Sequence, residues 1–426
     1  MREYSPIMMA LVLCASPSFA LEPLSRHLDS ASGKAFENRE AQALANQRDD
    51  ETDRAWFRLA PTFAATASYT RNQYESVARI PTGTDFREAV IVPSDQRDLY
   101  LNLTIPLVDV SSWERIGSAK RSRDAARARE KATAIDVKQR VAASYFNVVG
   151  AEAVLSSAKR SLEAAEKNLA YMKLRGTAGM AQELDVRRAS AEVERNRQLV
   201  ADGELQVAKS RRLLETASGL IPTAGAPELT SSLEPEAPLA SWLAVDASSL
   251  PQVQASDAEA RALRAEASAT RAALIPTISA TGQERFTNAV GFGQAPYYAV
   301  GISAQFKLDP TTFSAASAQS EAARAADVRA EYARRQAHDR IFDAWHEARA
   351  QIEKGRAARA EVEATSLAVK VAKQRFESGT ATFLDVVTAE RDAFRSEVAR
   401  ISADASLAYD RIALRLLSGR PAGGER

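Results

Sequence analysis

The motif FESGTATFLDV at residues 376–386 has a weaker copy, GMAQELDV, at residues 179–186. Both copies carry a glycine, a leucine, an aspartate and a valine at the same spacing. An interval of 200 residues separates the pairs Gly179 and Gly379, Leu184 and Leu384, Asp185 and Asp385, and Val186 and Val386. Because glycine adopts the left-handed backbone that ends a helix, each copy predicts a turn between two helices.

The duplication extends to both sides of the motif at the same interval. Further matches are Asp109 and Asp309, Ala125 and Ala325, Ala126 and Ala326, Arg129 and Arg329, Arg140 and Arg340, Leu214 and Leu414, Ser218 and Ser418, and Gly219 and Gly419. The chain therefore contains two copies of one unit. The first copy has about 15 additional residues around Ile80–Gln96, where two prolines and a glycine predict a long loop.

Each copy contains two stretches in which apolar and polar residues alternate, as in half-buried β-strands. The stretches are Thr62–Thr70, Leu99–Leu107, Thr277–Thr281 and Tyr298–Phe306. A soluble sheet packed on helices would show the same pattern, but the lengths approach those of membrane strands, and the polar face suits a water-filled lumen. Four strands cannot close a barrel, and a free edge is not tolerated in lipid, so we expect several chains to share one. Three chains would supply twelve strands.

Two long stretches predict helices, since no proline occurs between Pro106 and Pro222 or between Pro310 and Pro421. Small and apolar residues recur there at alternating intervals of three and four, the spacing of a coiled-coil seam. The seams are Val148, Ala151, Leu155, Ala158, Leu162, Ala165, Leu169 and Met172, and Phe394, Val398, Ile401, Ala405, Ala408 and Ile412. Shorter helices are expected before the strands, over Ser30–Phe57 and Gln252–Leu274. A helical bundle with a purely structural role is the alternative interpretation.

The N-terminus resembles a secretory signal peptide. Arg2 precedes an apolar run over Ile7–Cys14, and small residues follow at Ser18 and Ala20, so we expect residues 1–20 to be removed. A buried N-terminal helix is the alternative. Cys14 is the only cysteine, and its lipidation is a second alternative that the bulky Leu13 disfavours. Without Cys14 the mature chain has no thiol for a disulfide or a zinc site.

Composition and motifs argue against nucleic-acid binding and catalysis. The chain has 56 basic and 55 acidic residues, which leaves no electrostatic signature for nucleic acid. His338 and His346 are too far apart for zinc chelation on one helix, and we expect them and His27 to be surface residues. We find no phosphate-binding glycine loop, nucleophile elbow or cluster of metal ligands, and therefore predict neither an enzyme nor a cofactor.

From about Ala31 to Gly419 the chain resembles the TolC-like outer-membrane efflux proteins. The duplicated order of strands and helices, the prolines before the strands (Pro61 and Pro276) and the hairpin motif carry this resemblance. It implies a mainly α protein with a membrane β-barrel portion: a homotrimer with a twelve-stranded barrel in outer-membrane lipid and a twelve-helix periplasmic tunnel. It also implies an exit duct for efflux or secretion that works with a periplasmic adaptor and an inner-membrane transporter.

The same resemblance suggests domain boundaries. Residues 1–20 would be the signal peptide, 21–220 the first repeat, 221–250 a linker or equatorial segment, 251–419 the second repeat and 420–426 a C-terminal tail. The stretch from Ile221 to Pro251 holds five prolines and shows no helical period, although it could order against the helices as a small collar.

The resemblance also implies a gate at the hairpin turns, where carboxylates form a cation-binding ring. Asp385 matches the family's aspartate, and Asp185 is its counterpart in the first copy. The chain departs from the pattern at Thr388, where a second carboxylate is expected, and at Ala381, where an arginine locks the closed state. We therefore expect weaker cation binding and a less firmly closed gate. Helix capping by either aspartate is an equally good alternative.

Two other functions fit the same sequence features. One is a soluble periplasmic coiled-coil adaptor or scaffold, and the other is a paralogue with a sealed pore. The sequence does not indicate the cargo.

Overall fold

The computed structural model describes residues 21–223, 225, 229, 231–291, 296–306 and 309–422. The predicted signal peptide, including Cys14, and the last four residues of the predicted tail lie outside the described residues. The chain divides into two compact units. The described residues of Met1–Arg39, Ala134–Val245 and Asp339–Arg426 form the helical unit, and Glu40–Thr133 with Asp246–His338 form the sheet unit.

The described residues form eight α-helices and six strands, two more of each than the sequence predicts, because the first lead-in helix is divided in two, the linker contains a short helix, and the first repeat has two additional strands. The helices are α1 (Leu24–Lys34), α2 (Phe36–Phe57), α3 (Val110–Thr177), α4 (Glu183–Ser218), α5 (Leu239–Leu243), α6 (Pro251–Ala272), α7 (Pro310–Glu377) and α8 (Phe383–Leu417). The strands are β1 (Thr62–Arg71), β2 (Ser76–Thr82), β3 (Asp85–Val92), β4 (Asp95–Val108), β5 (Thr277–Thr287) and β6 (Tyr297–Gln305).

The main sheet is antiparallel and has the strand order β1-β4-β5-β6, so that β4 and β5 join the two repeats. Its register places alternate residues of all four strands on the same face of the sheet and the residues between them on the opposite face. One face carries mainly apolar side chains, among them Phe63, Leu99, Leu103, Phe286, Val300 and Ile302. Its charged residues are Glu284 and, where β1 ends and β4 begins, Arg71, Asp95 and Arg97. The other face carries Thr66, Ser68, Asn102, Thr104, Gln283 and Ser303. The predicted alternation is thus confirmed.

The prediction of a loop around Ile80–Gln96 is wrong. This region contributes to a separate hairpin in which β2 and β3 pair with each other, and the first repeat therefore has four strands. Gly83, with φ of +74°, lies in the turn, and the Arg79 Nε to Glu88 Oε1 distance across the strands is 3.0 Å. Both strands of a two-stranded sheet are edge strands, where proline is tolerated, so Pro81 does not prevent pairing.

The long helices form as their proline-free sequences predict. Helices α3 and α7 have 68 residues each, which corresponds to about 100 Å at 1.5 Å per residue. Every residue of the two predicted seams is buried or half-buried. Small residues allow the helices to approach closely: a Cβ atom placed on Gly203 of α4 would lie 3.1 Å from Leu155 Cδ1 and 3.4 Å from Leu155 Cα in α3.

In the sheet unit, the shorter helices pack beside the long ones. Alanines Ala260, Ala326 and Ala330 are buried together between α6 and α7. Ion pairs at 2.7 Å join the same helices through Arg264 and Asp327, and through Arg334 and Asp257. On the other side, Arg127 of α3 pairs with Asp49 of α2 at 3.0 Å.

The described part of the linker is ordered against α7 and α8, as the collar alternative anticipated. Arginine side chains hold its backbone carbonyls: Arg359 Nη2 donates to Ser231 O at 2.6 Å, and Arg411 Nη2 donates to Glu234 O at 2.6 Å. Gly355 makes room for it, since a Cβ atom there would lie 2.9 Å from Leu233 Cδ2. Residues 231–234 of the linker are therefore bound by helices of the second repeat, while Leu229 packs against the core of the first.

His27 is fully buried, so its expected surface position is wrong, whereas His338 and His346 are exposed. Its Nδ1 lies 3.1 Å from Ser218 Oγ at the end of α4, and its ring packs 5.8 Å from that of Tyr145. Burial lowers the pKa of His27 and favours the neutral ring. The residue thus belongs to the core that fixes α1 against α3 and α4, not to a metal site.

We expect Gly203→Ala to lower the free energy of unfolding by about 1 kcal/mol, because overpacking against Leu155 outweighs the helix propensity that alanine adds. The midpoint temperature for loss of helical circular dichroism in detergent measures the change. The control is Gly117→Ala in α3, where no atom lies within 4 Å of the new Cβ, and where we expect a gain of about 0.5–1 kcal/mol. A Gly203→Ala midpoint at or above that of the wild type would contradict the close approach.

Candidate functional site

The two hairpin turns that join α3 to α4 and α7 to α8 have the same backbone structure. Gly179 and Gly379 adopt φ of +72° and +78°. The N–H of Met180 donates to Arg175 O at 2.8 Å, and the N–H of Thr380 donates to Arg375 O at 2.8 Å. These bonds satisfy carbonyl groups at the ends of α3 and α7. The two helical hairpins therefore contain the same type of glycine turn.

An apolar cluster lies beside the two turns and contains residues from both repeats. Its buried members are Met172, Ala189, Phe383 and Val387, and Leu169, Ala181, Val186 and Phe376 pack against them. The Arg175 guanidinium lies 5.0 Å from the centre of the Phe376 ring. The two hairpins of one chain are thus held together at this end by a shared core.

Polar side chains connect the two hairpins next to this cluster. Arg391 of α8 donates from Nε to Glu192 Oε2 of α4 at 3.0 Å. Glu390 accepts from Asn168 Nδ2 at 2.8 Å and pairs with Lys373 Nζ at 2.8 Å. The Glu192 side chain is 10% exposed, so removing Arg391 would leave a largely buried charge without its partner. No sequence signal distinguishes this pair from the other charges of these helices.

Asp385 caps the N-terminus of α8. The Thr382 N–H donates to Asp385 Oδ2 at 2.8 Å, and the Asp385 N–H donates to Thr382 Oγ1 at 3.3 Å, which together form a capping box. The side chain is exposed, and hydrogen bonds from Thr382 hold the pKa of Asp385 below its ordinary value. The carboxylate is therefore ionised at neutral pH.

Asp185 occupies the equivalent position in α4 in a different environment. The residue before α4 is Gln182, which makes no side-chain capping bond. Asp185 is half-buried and pairs with Arg188 one turn later at 3.4 Å. Thr388, one turn after Asp385, is exposed, and Ala381 lies in the turn with its N–H 3.2 Å from Arg375 O.

The described residues hold no group of three or more histidine, cysteine, aspartate or glutamate side chains placed to bind a metal ion. No helix in the described part of the chain combines the length and the apolar character that crossing a membrane requires.

The sequence profile of the outer membrane efflux protein family matches residues 29–220 and 247–420. Solved structures with a similar fold include three outer-membrane proteins. CmeC, an outer membrane channel of Campylobacter jejuni, is 16% identical with a TM-score of 0.78, over 94% of this chain and 86% of that chain. VceC of Vibrio cholerae is 16% identical with a TM-score of 0.73, over 94% of this chain and 97% of that chain. The open-state MtrE channel of Neisseria gonorrhoeae is 20% identical with a TM-score of 0.72, over 93% and 89%. No curated protein sequence matches this chain significantly.

We expect Thr382→Ala to accelerate amide hydrogen exchange in the first turn of α8 several-fold, as loss of a helix N-cap predicts. Because the folded pKa of Asp385 is lowered, the cap is intact above the ordinary aspartate range and is lost as pH falls through the lowered pKa. The difference from the wild type should therefore shrink in acid, where only the bond from the Asp385 N–H to Thr382 Oγ1 remains. The matched control is Gln182→Ala, which removes no capping bond and should leave α4 unchanged. Equal exchange in Thr382→Ala and the wild type would contradict the capping role.

Proposed function

The chain belongs to the outer membrane efflux protein family, and on that premise we propose that three copies form one exit duct. The protein is an outer-membrane efflux channel that extends into the periplasm, and it is not an enzyme. In our proposal three sheets close one twelve-stranded barrel, and the long helices of three chains form a twelve-helix tunnel. The duct works with a periplasmic adaptor and an inner-membrane transporter, which supplies the energy.

The exposed apolar face of the main sheet is the observation that best supports this proposal. Val300 is 78% exposed, Ile302 76% and Phe63 68%, although all three lie on strands of regular register. A sheet of a soluble scaffold would cover such a face, whereas a sheet in lipid presents it to acyl chains. The outer edges of β1 and β6 are unpaired in the single chain, and neighbouring copies would satisfy their backbone groups.

Aromatic residues where strands meet helices support the same arrangement. Trp56 and Phe57 end α2 just before β1, and Trp113 lies in the first turn of α3 after β4. All three are exposed, the Trp56 and Trp113 rings lie 6.2 Å apart, and Lys120 Nζ lies 4.8 Å from the Trp56 ring. Tryptophan and lysine beside an apolar face are typical of a membrane–water interface. The periplasmic border of the membrane falls here in our proposal.

At the other end of the long helices, we propose that Asp385 contributes to a cation-binding ring at the tunnel tip. Both bonds that Thr382 donates reach Oδ2, so capping leaves the Oδ1 atom of this exposed carboxylate for a cation. Capping and gating can therefore be functions of one residue. Because Thr388 and Ala381 replace a second carboxylate and an arginine of the family pattern, the ring would be single and its closed state less firmly held. The half-buried Asp185, paired with Arg188, is the weaker candidate.

We expect Asp385→Ala to weaken the block of channel current by divalent cations, because it removes the charge that attracts them. Single-channel recordings in planar bilayers with increasing Mg²⁺ measure the block. Thr382→Ala is the matched control, since it removes the cap but keeps the carboxylate. Divalent cations should block its current as they block that of the wild type. An unchanged block in Asp385→Ala would exclude the gating role, and an absence of current in the wild type would favour the sealed-pore alternative.

We expect outer membranes to yield, in mild detergent, a protein whose detergent-corrected mass equals three chains, because the four strands of one chain cannot close a barrel and three chains form the proposed twelve-stranded one. We also expect its N-terminus at Leu21, whose side chain is buried in the core around Val141 and Tyr145. Analytical ultracentrifugation and intact-mass spectrometry provide the two measurements. A water-soluble monomer would reject the barrel in favour of the periplasmic scaffold.

A further inference from the structure

In the sheet unit, four helix ends next to the strands enclose a cavity of about 570 Å³. The ends of α2 and α6 and the beginnings of α3 and α7 line it. Its charged residues are Arg48, Arg54, Arg58 and Arg115, against Glu51 and Glu266. The cavity wall therefore carries two more positive than negative charges.

Both acidic residues of the cavity already have partners. Glu51 accepts hydrogen bonds from Arg48 Nη1 at 2.5 Å and from Gln47 Nε2 at 2.8 Å. Glu266 accepts from Ser118 Oγ at 2.6 Å. Arg48 offsets the charge of Glu51, whereas the neutral Ser118 does not offset that of Glu266. Arg54, Arg58 and Arg115 therefore leave the wall with two net positive charges.

These three guanidinium groups make no hydrogen bond or ion pair with the described residues. Two carboxylates interact with these arginines through space, Glu51 with Arg54 and Asp109 with Arg115. The Asp109 oxygens accept hydrogen bonds from Ser111 and Ser112 at the start of α3. A guanidinium is a planar fork of donors that matches carboxylate and phosphate oxygens. The unpaired charges thus face a cavity that is large enough for a small anion.

The cavity lies on the side of the helices opposite the exposed aromatic residues. At about 100° per residue, Arg115 and Ser122 are on nearly the opposite face of α3 from Trp113 and Lys120. Phe313 of α7 is likewise about 160–200° from Thr311 and Ala315, which line the cavity. If the aromatic face contacts lipid, as our proposed function holds, the cavity opens to the lumen.

We infer that this cavity is an anion-binding subsite of the channel lumen and that it favours cargo with carboxylate, sulfonate or phosphate groups. The inference rests on the proposed function, because it takes the lumen to be the side opposite the aromatic residues. Arg54, Arg58 and Arg115 supply the charge, and the Ser122 and Thr311 hydroxyls add neutral donors. Three such subsites would surround one lumen just inside the barrel. Charges that line a narrow passage concentrate ions of opposite sign, so the channel conducts anions in preference to cations.

The test compares the wild type with the triple variant Arg54→Gln/Arg58→Gln/Arg115→Gln in planar bilayers under a KCl gradient. We expect the wild-type reversal potential to show a preference for chloride, and the triple variant to lower the chloride-to-potassium permeability ratio by about twofold or more. The effect should shrink at high salt, which screens fixed charges. As a matched control, the single variant Arg121→Gln is compared with the single variant Arg115→Gln. Arg121 is an exposed arginine of the same helix that does not line the cavity. The comparison of the wild type with the triple variant is repeated with Asp385→Ala added to both, because the negative charge of Asp385 at the tunnel tip opposes a preference for anions.

A second measurement does not depend on conduction. Calorimetric titration of the detergent-solubilised protein with citrate should show binding that the triple variant loses and Arg121→Gln retains. Equal permeability ratios and equal citrate binding in the wild type and the triple variant would overturn the inference. It would also be overturned if native mass spectrometry found a phospholipid that the triple variant loses while ion selectivity stays unchanged, since the cavity would then face lipid. A failure of the proposed function itself is recognised separately, by a soluble monomer without any current.

Discussion

Backbone hydrogen bonding at the edges of a four-stranded sheet is the constraint on which the rest of this structure depends. The pairing of β4 with β5 joins the two repeats, but it leaves β1 and β6 with one unpaired side each. In water such edges are tolerable, and in lipid they are not. If the apolar face of the sheet lies in lipid, as we propose, a single chain leaves these edges unsatisfied. On that proposal, association of copies is a requirement of the sheet and not an addition to it.

The duplication has produced two hairpin turns with the same backbone structure and different side-chain interactions. The glycine turns at Gly179 and Gly379 have the same backbone bonds, yet only the second is followed by a capping box. The difference is one side chain, because Thr382 can exchange hydrogen bonds with Asp385 and Gln182 makes none with Asp185. The linker also has different partners along its length: Leu229 packs on the core of the first repeat, whereas arginines of α7 and α8 bind later carbonyl groups. Equivalent positions thus keep the backbone while their side chains take separate roles.

Much of the fold could be predicted because it depends on local periodicity. The strands, the 68-residue helices and the seam from Val148 to Met172 all follow from spacing along the chain. The β2–β3 hairpin was missed because prolines and a glycine normally indicate a loop, whereas in a two-stranded sheet they are compatible with pairing. The burial of His27, the Glu192–Arg391 pair and the arginine cavity could not be predicted. Each depends on residues distant in sequence, and none of the single residues is unusual.

The β2–β3 hairpin makes the strand content of the two repeats different. It is inserted between β1 and β4, and it pairs with neither strand, so the ladder that unites the repeats does not depend on its length or composition. The second repeat passes from β5 to β6 without such an insertion. Insertions and deletions in this segment can therefore be accommodated without a shift in the register of β1, β4, β5 and β6.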